Sequence, residues 1–344
     1  MRRPLAVVPL VLPLAAGSNS AGSVTRLSLR CPLSTDVLCI EFHRPIYERI
    51  TVRLDYLALG NPTLDVQAGG SSVLGGSVVY SALQAARLGL SAAIVGRANP
   101  VQLEPYWQPY AGEVGLTLQP AESTTTFRNV SMGDAREQWL EDWAGSIQDL
   151  GELPDSDILH IAPVAQEIIL EKLVAEARSR FVLLTPQGLV RRWAGLGAQI
   201  EHFARDFPAE VSSMLDVVVV SETEAPYVSE LLAAVPRHGG LGVVTRGRRG
   251  CQVLTRDGSA EYAADPVRIL ADPTGAGDCF AATLTTEMFR GRPVPEAVRL
   301  ATAAASLCVS GAGPATIGTR PEIMTERGSS PGVAGSLDRP RQGG

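Results

Sequence analysis

Short apolar runs alternate with longer stretches of helical periodicity along most of this chain. Leu54-Asp55-Tyr56-Leu57-Ala58-Leu59-Gly60 is an apolar run ending in Gly60-Asn61-Pro62, which predicts a buried strand with a functional C-terminal end. Residues 77–88 are apolar and small and are closed by Gly89, which predicts a helix, and 91–96 predicts another strand. Strand, helix and strand in quick succession predict a parallel sheet. The rhythm resumes with a strand at 157–161, a helix at 166–178 and a strand at 181–184. Further strands are expected at 215–220 and 241–245, then a short antiparallel edge pair at 251–255 and 260–264. Residues 266–270 read as a strand end, and helices at 277–289 and 295–309 close the domain. There is no internal repeat.

The pattern changes between Leu116 and Leu140. Thr124-Thr125-Thr126-Phe127-Arg128-Asn129-Val130 is β-branched and alternating, Gly133-Asp134 is a turn signal, and 136–140 returns as a partner. This reads either as a hairpin standing apart from the main sheet as a lid or as an ordinary edge hairpin.

The ends of the chain follow neither pattern. Residues 1–52 read as a leader: Met1-Arg2-Arg3 and the apolar stretch after it resemble a signal peptide, and the absence of acids before Asp36 suits a transit peptide. A disordered segment or a start codon assigned too early are the favoured readings. The apolar stretch is too short and Pro-broken for a membrane span. Residues 326–344 are rich in Gly, Ser, Pro and Arg and read as a disordered tail, leaving 53–325 as the folded domain.

Composition removes several functions. With 344 residues the chain can bury a sizeable core. A net charge of −6, without basic runs interleaved with aromatics, argues against a nucleic-acid partner. Lys172 is the only lysine, and no glycine-rich loop precedes it. Walker-type and protein-kinase-type phosphate sites both need a placed lysine, so both are excluded. Cys31, Cys39, Cys251, Cys279 and Cys308 form no C-x-x-C pair, which argues against zinc and suits a reducing, cytoplasmic compartment.

The chemistry concentrates in Asp272-Pro273-Thr274-Gly275-Ala276-Gly277-Asp278, between a strand end and a helix-like run. Glycines on either side of Ala276 allow a tight turn and a close approach to an anion. The amides of Ala276, Gly277 and Asp278 would be first-turn donors, where phosphate oxygens bind. A carboxylate repels phosphate, so Asp278 needs another job, and accepting a proton from an attacking hydroxyl is the obvious one. A plain helix N-terminus with a favourable acidic residue is the competing reading. Other strand ends bring Asp65, Gln187, Glu224 and Thr245 with Gly247 to the same edge, where ligands of parallel sheets sit.

Taken in order, three stretches give the chain a family likeness. It resembles the PfkB/ribokinase family of ATP-dependent small-molecule kinases. The 272–278 turn looks like the family's C-terminal signature, with Pro273 where Thr is usual. Leu74-Gly75-Gly76-Ser77-Val78-Val79-Tyr80-Ser81-Ala82 looks like its Gly-Gly signature, with Tyr80 where Asn is frequent. Val243-Val244-Thr245-Arg246-Gly247-Arg248-Arg249-Gly250 looks like its nucleotide-side strand and turn. The likeness runs from about Asp55 to Glu322.

The resemblance implies an α/β fold: a ribokinase-like three-layer α/β/α sandwich with a mostly parallel central sheet and a small β lid from about 63–75 and 115–142. It implies ATP and Mg2+, with K+ as a monovalent cation, and a small-molecule acceptor as partner, with a lid-mediated homodimer open. Asp278 would be the base, and Gly275, Ala276 and Gly277 the anion hole. Asp65, Gly75, Gly76, Tyr80, Phe127 and Asn129 would line the acceptor side, although Asp65 can equally be a turn aspartate. Thr245, Gly247, Gly250, Asp272, Thr274 and Ser221 would lie along the nucleotide. Glu224, in the family's Asn-x-x-Glu element with Ser221 replacing Asn, would organise the metal, or would be only a first-turn helix acid. Two other functions remain open: a dinucleotide-dependent oxidoreductase, and a non-catalytic sugar or nucleotide sensor of the same fold.

Overall fold

Alternation along the strands sets the architecture. In β3 (Leu54–Leu59 by chain order, after the two strands named below), Leu57 and Leu59 join one apolar cluster while Tyr56 and Ala58 join another, and all four are buried. A strand apolar on both faces must be covered twice, by helices on either side. The computed structural model shows that cover. It describes residues 26–30, 37–41, 53–67, 69–132, 135–148, 153–174, 179–264 and 271–328.

Two units make up the chain, Met1–Ile50 and Thr51–Gly344. In the first, β1 (Arg26–Arg30) and β2 (Val37–Glu41) form an antiparallel pair. The rest of the leader expected over 1–52 lies outside the described residues. So do the strand end expected at 266–270 and the tail expected over 326–344 from residue 329 on.

In the second unit the strands after β3 are β4 (Thr63–Val66), β5 (Ser72–Gly75), β6 (Ala92–Ala98), β7 (Gly115–Pro120), β8 (Thr125–Met132), β9 (Ala135–Asp142), β10 (Ser156–Ile161) and β11 (Phe181–Leu184). They continue with the two-residue β12 (Arg191–Arg192), β13 (Ala198–Gln199) and β14 (Glu201–His202), then β15 (Val217–Ser221), β16 (Leu241–Thr245), β17 (Cys251–Thr255) and β18 (Gly258–Tyr262). The helices are α1 (Ser77–Arg87), α2 (Pro100–Trp107), α3 (Leu170–Val174), α4 (Ala209–Met214), α5 (Ser229–Arg237), α6 (Ala276–Phe289), α7 (Val294–Cys308) and α8 (Arg320–Gly328).

The main sheet has the order β18-β17-β16-β15-β11-β10-β3-β6-β7. Every neighbouring pair from β16 to β7 is parallel, and β16-β17-β18 closes the other edge antiparallel. Residues of α3, α4 and α5 pack with Leu57, Leu159, Ile161, Val218 and Val220 on one face. Residues of α1, α6 and α7 pack on the other. The fold is a three-layer α/β/α sandwich with a mostly parallel sheet.

A second sheet, β13-β9-β8-β4-β5, stands beside it. Its β8–β9 pair is the Thr-rich hairpin, whose 133–134 turn lies outside the described residues, and β4 runs parallel to β8. The stretch 115–142 divides. Its first part, β7, continues the register of β6 and so extends the main sheet rather than the lid.

One helix differs from the sequence pattern. Helix 166–178 was expected, but α3 begins at Leu170. Gln166 has φ 57, in the left-handed region. The buried Glu167 carboxylate turns back to accept the N–H groups of Asn61 at 3.0 Å, Val164 at 2.8 Å and Ala165 at 2.7 Å. A side chain committed to loop amides competes with the helix for its own first turn. The residues 175–178 lie outside the described set.

Candidate active site

The C-terminal ends of the parallel strands and the start of α6 surround a cavity of about 460 Å³. The turn before α6 is built from its own side chains. Asp272 Oδ1 accepts the N–H of Thr274 at 2.9 Å and its hydroxyl at 2.5 Å. The Ala276 N–H returns to the Pro273 carbonyl at 3.4 Å, and helical bonding starts with Cys279 N–H to Gly275 carbonyl at 2.9 Å. Among the described residues the amides of Gly277 and Asp278 find no backbone acceptor, which leaves them as first-turn donors.

Gly275 is needed here twice over. Its φ of 80 is left-handed, and a Cβ at this position would fall inside the ring of the buried Tyr80. Burial, then the neighbouring Asp65, pushes the Tyr80 hydroxyl well above its ordinary range, so it stays protonated.

Asp278 lines the same cavity, partly exposed to it. Burial pushes its carboxyl from 3.8 up to about 7, Glu224 adds to that rise, and a hydrogen bond from Ser77 and the charge of Arg191 act against it. A carboxyl poised near neutrality suits proton exchange with a hydroxyl.

Asp65, 5% exposed, also lines the cavity, on β4 between Val73 of β5 and Phe127 of β8. The Thr63 hydroxyl donates to its Oδ1 at 3.3 Å. Gly75 sits opposite Thr63, and a Cβ there would come within 2.6 Å of Asp65 Oδ2 and 2.8 Å of Thr63 Oγ1. The glycine thus makes room for the carboxylate. Gly76, Tyr80 and Phe127 complete this wall.

Ser221, Glu224, Thr245 and Thr274 line the cavity as well. Glu224 Oε2 accepts the Ser221 N–H at 3.1 Å and hydroxyl at 2.8 Å, so the glutamate both caps this turn and faces the cavity. The Thr245 hydroxyl donates to the Val220 carbonyl at 3.2 Å. Among the described residues no group of three or more His, Cys, Asp or Glu could cage a metal ion. Two carboxylates, Glu224 and Asp278, facing one cavity nevertheless fit magnesium, which keeps several waters and takes phosphate oxygens as ligands.

Six expected residues stand outside the cavity wall: Gly75, Asn129, Gly247, Gly250, Asp272 and Ala276. Gly75 and Asp272 lie directly behind it, supporting Asp65 and Thr274. Asn129 Oδ1 accepts from Nε2 of Gln138 at 2.7 Å, and Gln138 is the one that reaches the wall. Gly247 and Gly250 bound a 3-10 turn after β16, where Gly250 packs against the Tyr262 carbonyl.

The sequence reading passed over Ser77, Arg191, His202 and Thr185, all of which line the cavity. Arg191 is 7% exposed, donates to the Val164 carbonyl at 3.0 Å and lies 5.7 Å from the Phe127 ring centre. Thr185 ends a buried chain in which Tyr56 hydroxyl and His160 Nδ1 are 2.8 Å apart and His160 Nε2 and the Thr185 hydroxyl 2.9 Å. Burial lowers His160 to about 3, so this imidazole is neutral.

Known proteins resemble this chain in sequence and in fold. Residues 199–320 match the model of the pfkB family of carbohydrate kinases. Over 173 residues the chain is 33% identical to a cytidine kinase of Thermococcus kodakarensis, covering 45% of this chain and 58% of that protein. Over 154 residues it is 34% identical to an inositol 3-kinase of Zea mays, covering 43% of this chain and 39% of that protein. The chain thus spans little more than half of the first relative and less than half of the second. A pyrophosphate-dependent kinase in the ribokinase family, solved as a sulfate complex, superposes with a TM-score of 0.66 at 20% identity, over 79% of this chain and 99% of that one. Arabidopsis thaliana ribokinase, complexed with ribose and ATP, gives 0.60 at 19% identity, over 81% and 100%. Among the described residues no helix is long and apolar enough to cross a membrane.

Proposed function

We propose that this chain, a member of the PfkB/ribokinase family, is an ATP-dependent kinase for a hydroxyl of a small polyol: a sugar, a cyclitol such as inositol, or a nucleoside. One observation carries the reading. Asp278, Gly277 and Asp65 line one cavity, and the Gly277 and Asp278 amides lack backbone acceptors among the described residues. Asp65 would bind acceptor hydroxyls and orient one of them. Asp278 takes the proton from that hydroxyl as its oxygen attacks the γ-phosphorus. The bond from γ-phosphorus to the bridging oxygen breaks, and ADP leaves. The Gly277 and Asp278 amides stabilise charge on the transferring group, which is most of what this reaction asks of a protein. Glu224, steadied by Ser221, would hold magnesium through water, and magnesium supplies charge neutralisation on the phosphates. Activation by K+ rests on the resemblance, and turnover in potassium against choline buffers tests it.

Pyrophosphate is a second donor with one observation in its favour. Gly247 and Gly250, expected along the nucleotide, lie outside the cavity wall, while the phosphate-binding turn lies in it. A structural neighbour is pyrophosphate-dependent.

An ADP- and phosphate-release screen tests the proposal, with myo-inositol, ribose and cytidine as acceptors and Mg-ATP or Mg-pyrophosphate as donor. Acceptor-stimulated release is expected. No stimulation with either donor, together with thermal stabilisation by NADH instead of Mg-ATP, would move the reading to the oxidoreductase. Stabilisation by Mg-ATP without turnover would move it to the sensor.

A further inference from the structure

Three polar side chains run across neighbouring strands and end at the cavity. Tyr56 on β3 and His160 on β10 are fully buried, and Thr185 follows the last residue of β11. These three strands lie side by side in the main sheet. The Tyr56 hydroxyl is 2.8 Å from His160 Nδ1, and His160 Nε2 is 2.9 Å from the Thr185 hydroxyl oxygen. The Thr185 backbone is fixed as well, its N–H donating to the Ile161 carbonyl at 3.1 Å. Two residues to either side of His160, Ile158 and Ala162 are apolar and pack in the core. Filling space at position 160 therefore needs no imidazole, and a buried polar group costs stability unless it is bonded.

Counting protons shows what this chain of bonds delivers. Burial keeps the Tyr56 phenol protonated and the His160 imidazole neutral. Each of the three groups then carries one exchangeable proton, and two hydrogen bonds join them, so one proton is left over at one end. Thr185 is the end that lines the cavity. An anionic oxygen placed there takes the spare proton. The order is then fixed: Tyr56 donates to Nδ1, Nε2–H donates to Thr185, and the Thr185 hydroxyl donates into the cavity. Aligned bonds of this kind polarise one another and strengthen the last donor.

Strand order indicates which oxygen that is. On one side of β11 is β15, which ends at Ser221 shortly before Glu224. On the other side are β10 and β3, and β3 leads to Thr63 and Asp65 on β4. Thr185 thus stands, in strand order, between the residues assigned to the phosphate donor and those assigned to the acceptor.

We propose that Thr185 is a further catalytic residue: its hydroxyl, aligned by His160 and Tyr56, donates to an oxygen of the transferring phosphoryl group, alongside the Gly277 and Asp278 amides. The assignment rests on the kinase reading. The hydroxyl keeps its proton while phosphorus passes from the donor oxygen to the acceptor oxygen.

Thr185→Val on the full chain tests it, with Mg-ATP or Mg-pyrophosphate and whichever of myo-inositol, ribose and cytidine supports turnover. The variant keeps the shape and removes the hydroxyl. kcat is expected to fall about 100-fold while both KM values stay within about twofold. Thr185→Ser, which keeps the donor, should restore kcat to within about threefold of wild type. The pH at which kcat/KM rises should stay where it is, because the base is untouched. Nitrogen-15 NMR gives a second readout, on wild type with magnesium, aluminium fluoride as the phosphoryl mimic, the acceptor, and ADP or phosphate to match the donor. It should show His160 protonated on Nε2, the signal being the one lost in His160→Gln. Unchanged kcat in Thr185→Val, a loss confined to the acceptor KM, or a proton on Nδ1 would overturn the assignment. A shifted pH profile would overturn it too, making Thr185 a partner of Asp278. If Thr185→Val fails to fold, Thr185→Ala, which leaves room for a water on His160, takes its place. Wild type that turns over no acceptor removes the kinase reading and this inference with it. Wild-type turnover that Asp278→Asn abolishes and Thr185→Val leaves intact removes this inference alone.

Discussion

Replacing Asp278 by Asn isolates what the carboxyl does. The side chain keeps its size and its place at the head of α6, and loses only its capacity to take a proton. General base catalysis contributes about 10²–10⁴-fold, or roughly 3–5 kcal/mol of barrier, so kcat should fall by that much while the KM for donor stays near wild type. Stability should move the other way. The native carboxyl is raised from 3.8 to about 7, chiefly by burial, with Glu224 pushing the same way and Ser77 and Arg191 opposing. A native value above the unfolded one means that stability is fully present below the unfolded value and is lost as pH rises through about 7. The loss has a ceiling of roughly 4 kcal/mol, and partial exposure to the cavity brings it to about 1–2 kcal/mol. Asp278→Asn carries no such loss. Its melting temperature should therefore exceed wild type at pH 8, with the gap narrowing towards pH 4. Wild-type kcat/KM should climb through pH 7 to a plateau, since the base must be ionised. Calorimetry across pH and steady-state kinetics at each pH read both effects. An Asn variant with wild-type kcat, or one that melts below wild type at pH 8, would refute the reasoning.

Three further substitutions probe the surroundings. Gly275→Ala places a Cβ in the Tyr80 ring at a left-handed position and should lose about 2–4 kcal/mol in urea unfolding together with most turnover. Gly75→Ala drives a methyl to 2.6 Å from Asp65 Oδ2, so the acceptor KM should rise about tenfold while the donor KM is unchanged, as initial rates at varied acceptor will show. Glu167→Ala leaves the amides of Asn61, Val164 and Ala165 without their acceptor and should destabilise by about 3–5 kcal/mol, seen as a lower urea midpoint.

Elements whose cause is local were legible in the sequence. The central strands are apolar on both faces, so β3, β11 and β16 announce themselves, and α6 and α7 appear within a residue of their expected starts. The Thr-rich hairpin was legible for the same reason. Long-range causes were hidden. α3 starts late because Glu167 bonds to Asn61, 106 residues earlier, and no local pattern reports that. The parallel pairing of β4 with β8, which carries Asp65 beside Phe127, is hidden in the same way. In the site, Asp278 and the glycines were readable because a carboxylate in a phosphate-type turn is chemically odd. Ser77 and Arg191 look ordinary in sequence. Only the converging strand ends bring Gln187 between them.

Phosphorus NMR on the full chain follows the transferred group itself. With Mg-ATP and a mixture of myo-inositol, ribose and cytidine, the γ-phosphate resonance should decline as a phosphomonoester resonance grows in equal amount, and Asp278→Asn should show neither change. A γ-phosphate lost only to inorganic phosphate, or a phosphomonoester formed equally well by Asp278→Asn, would contradict the account.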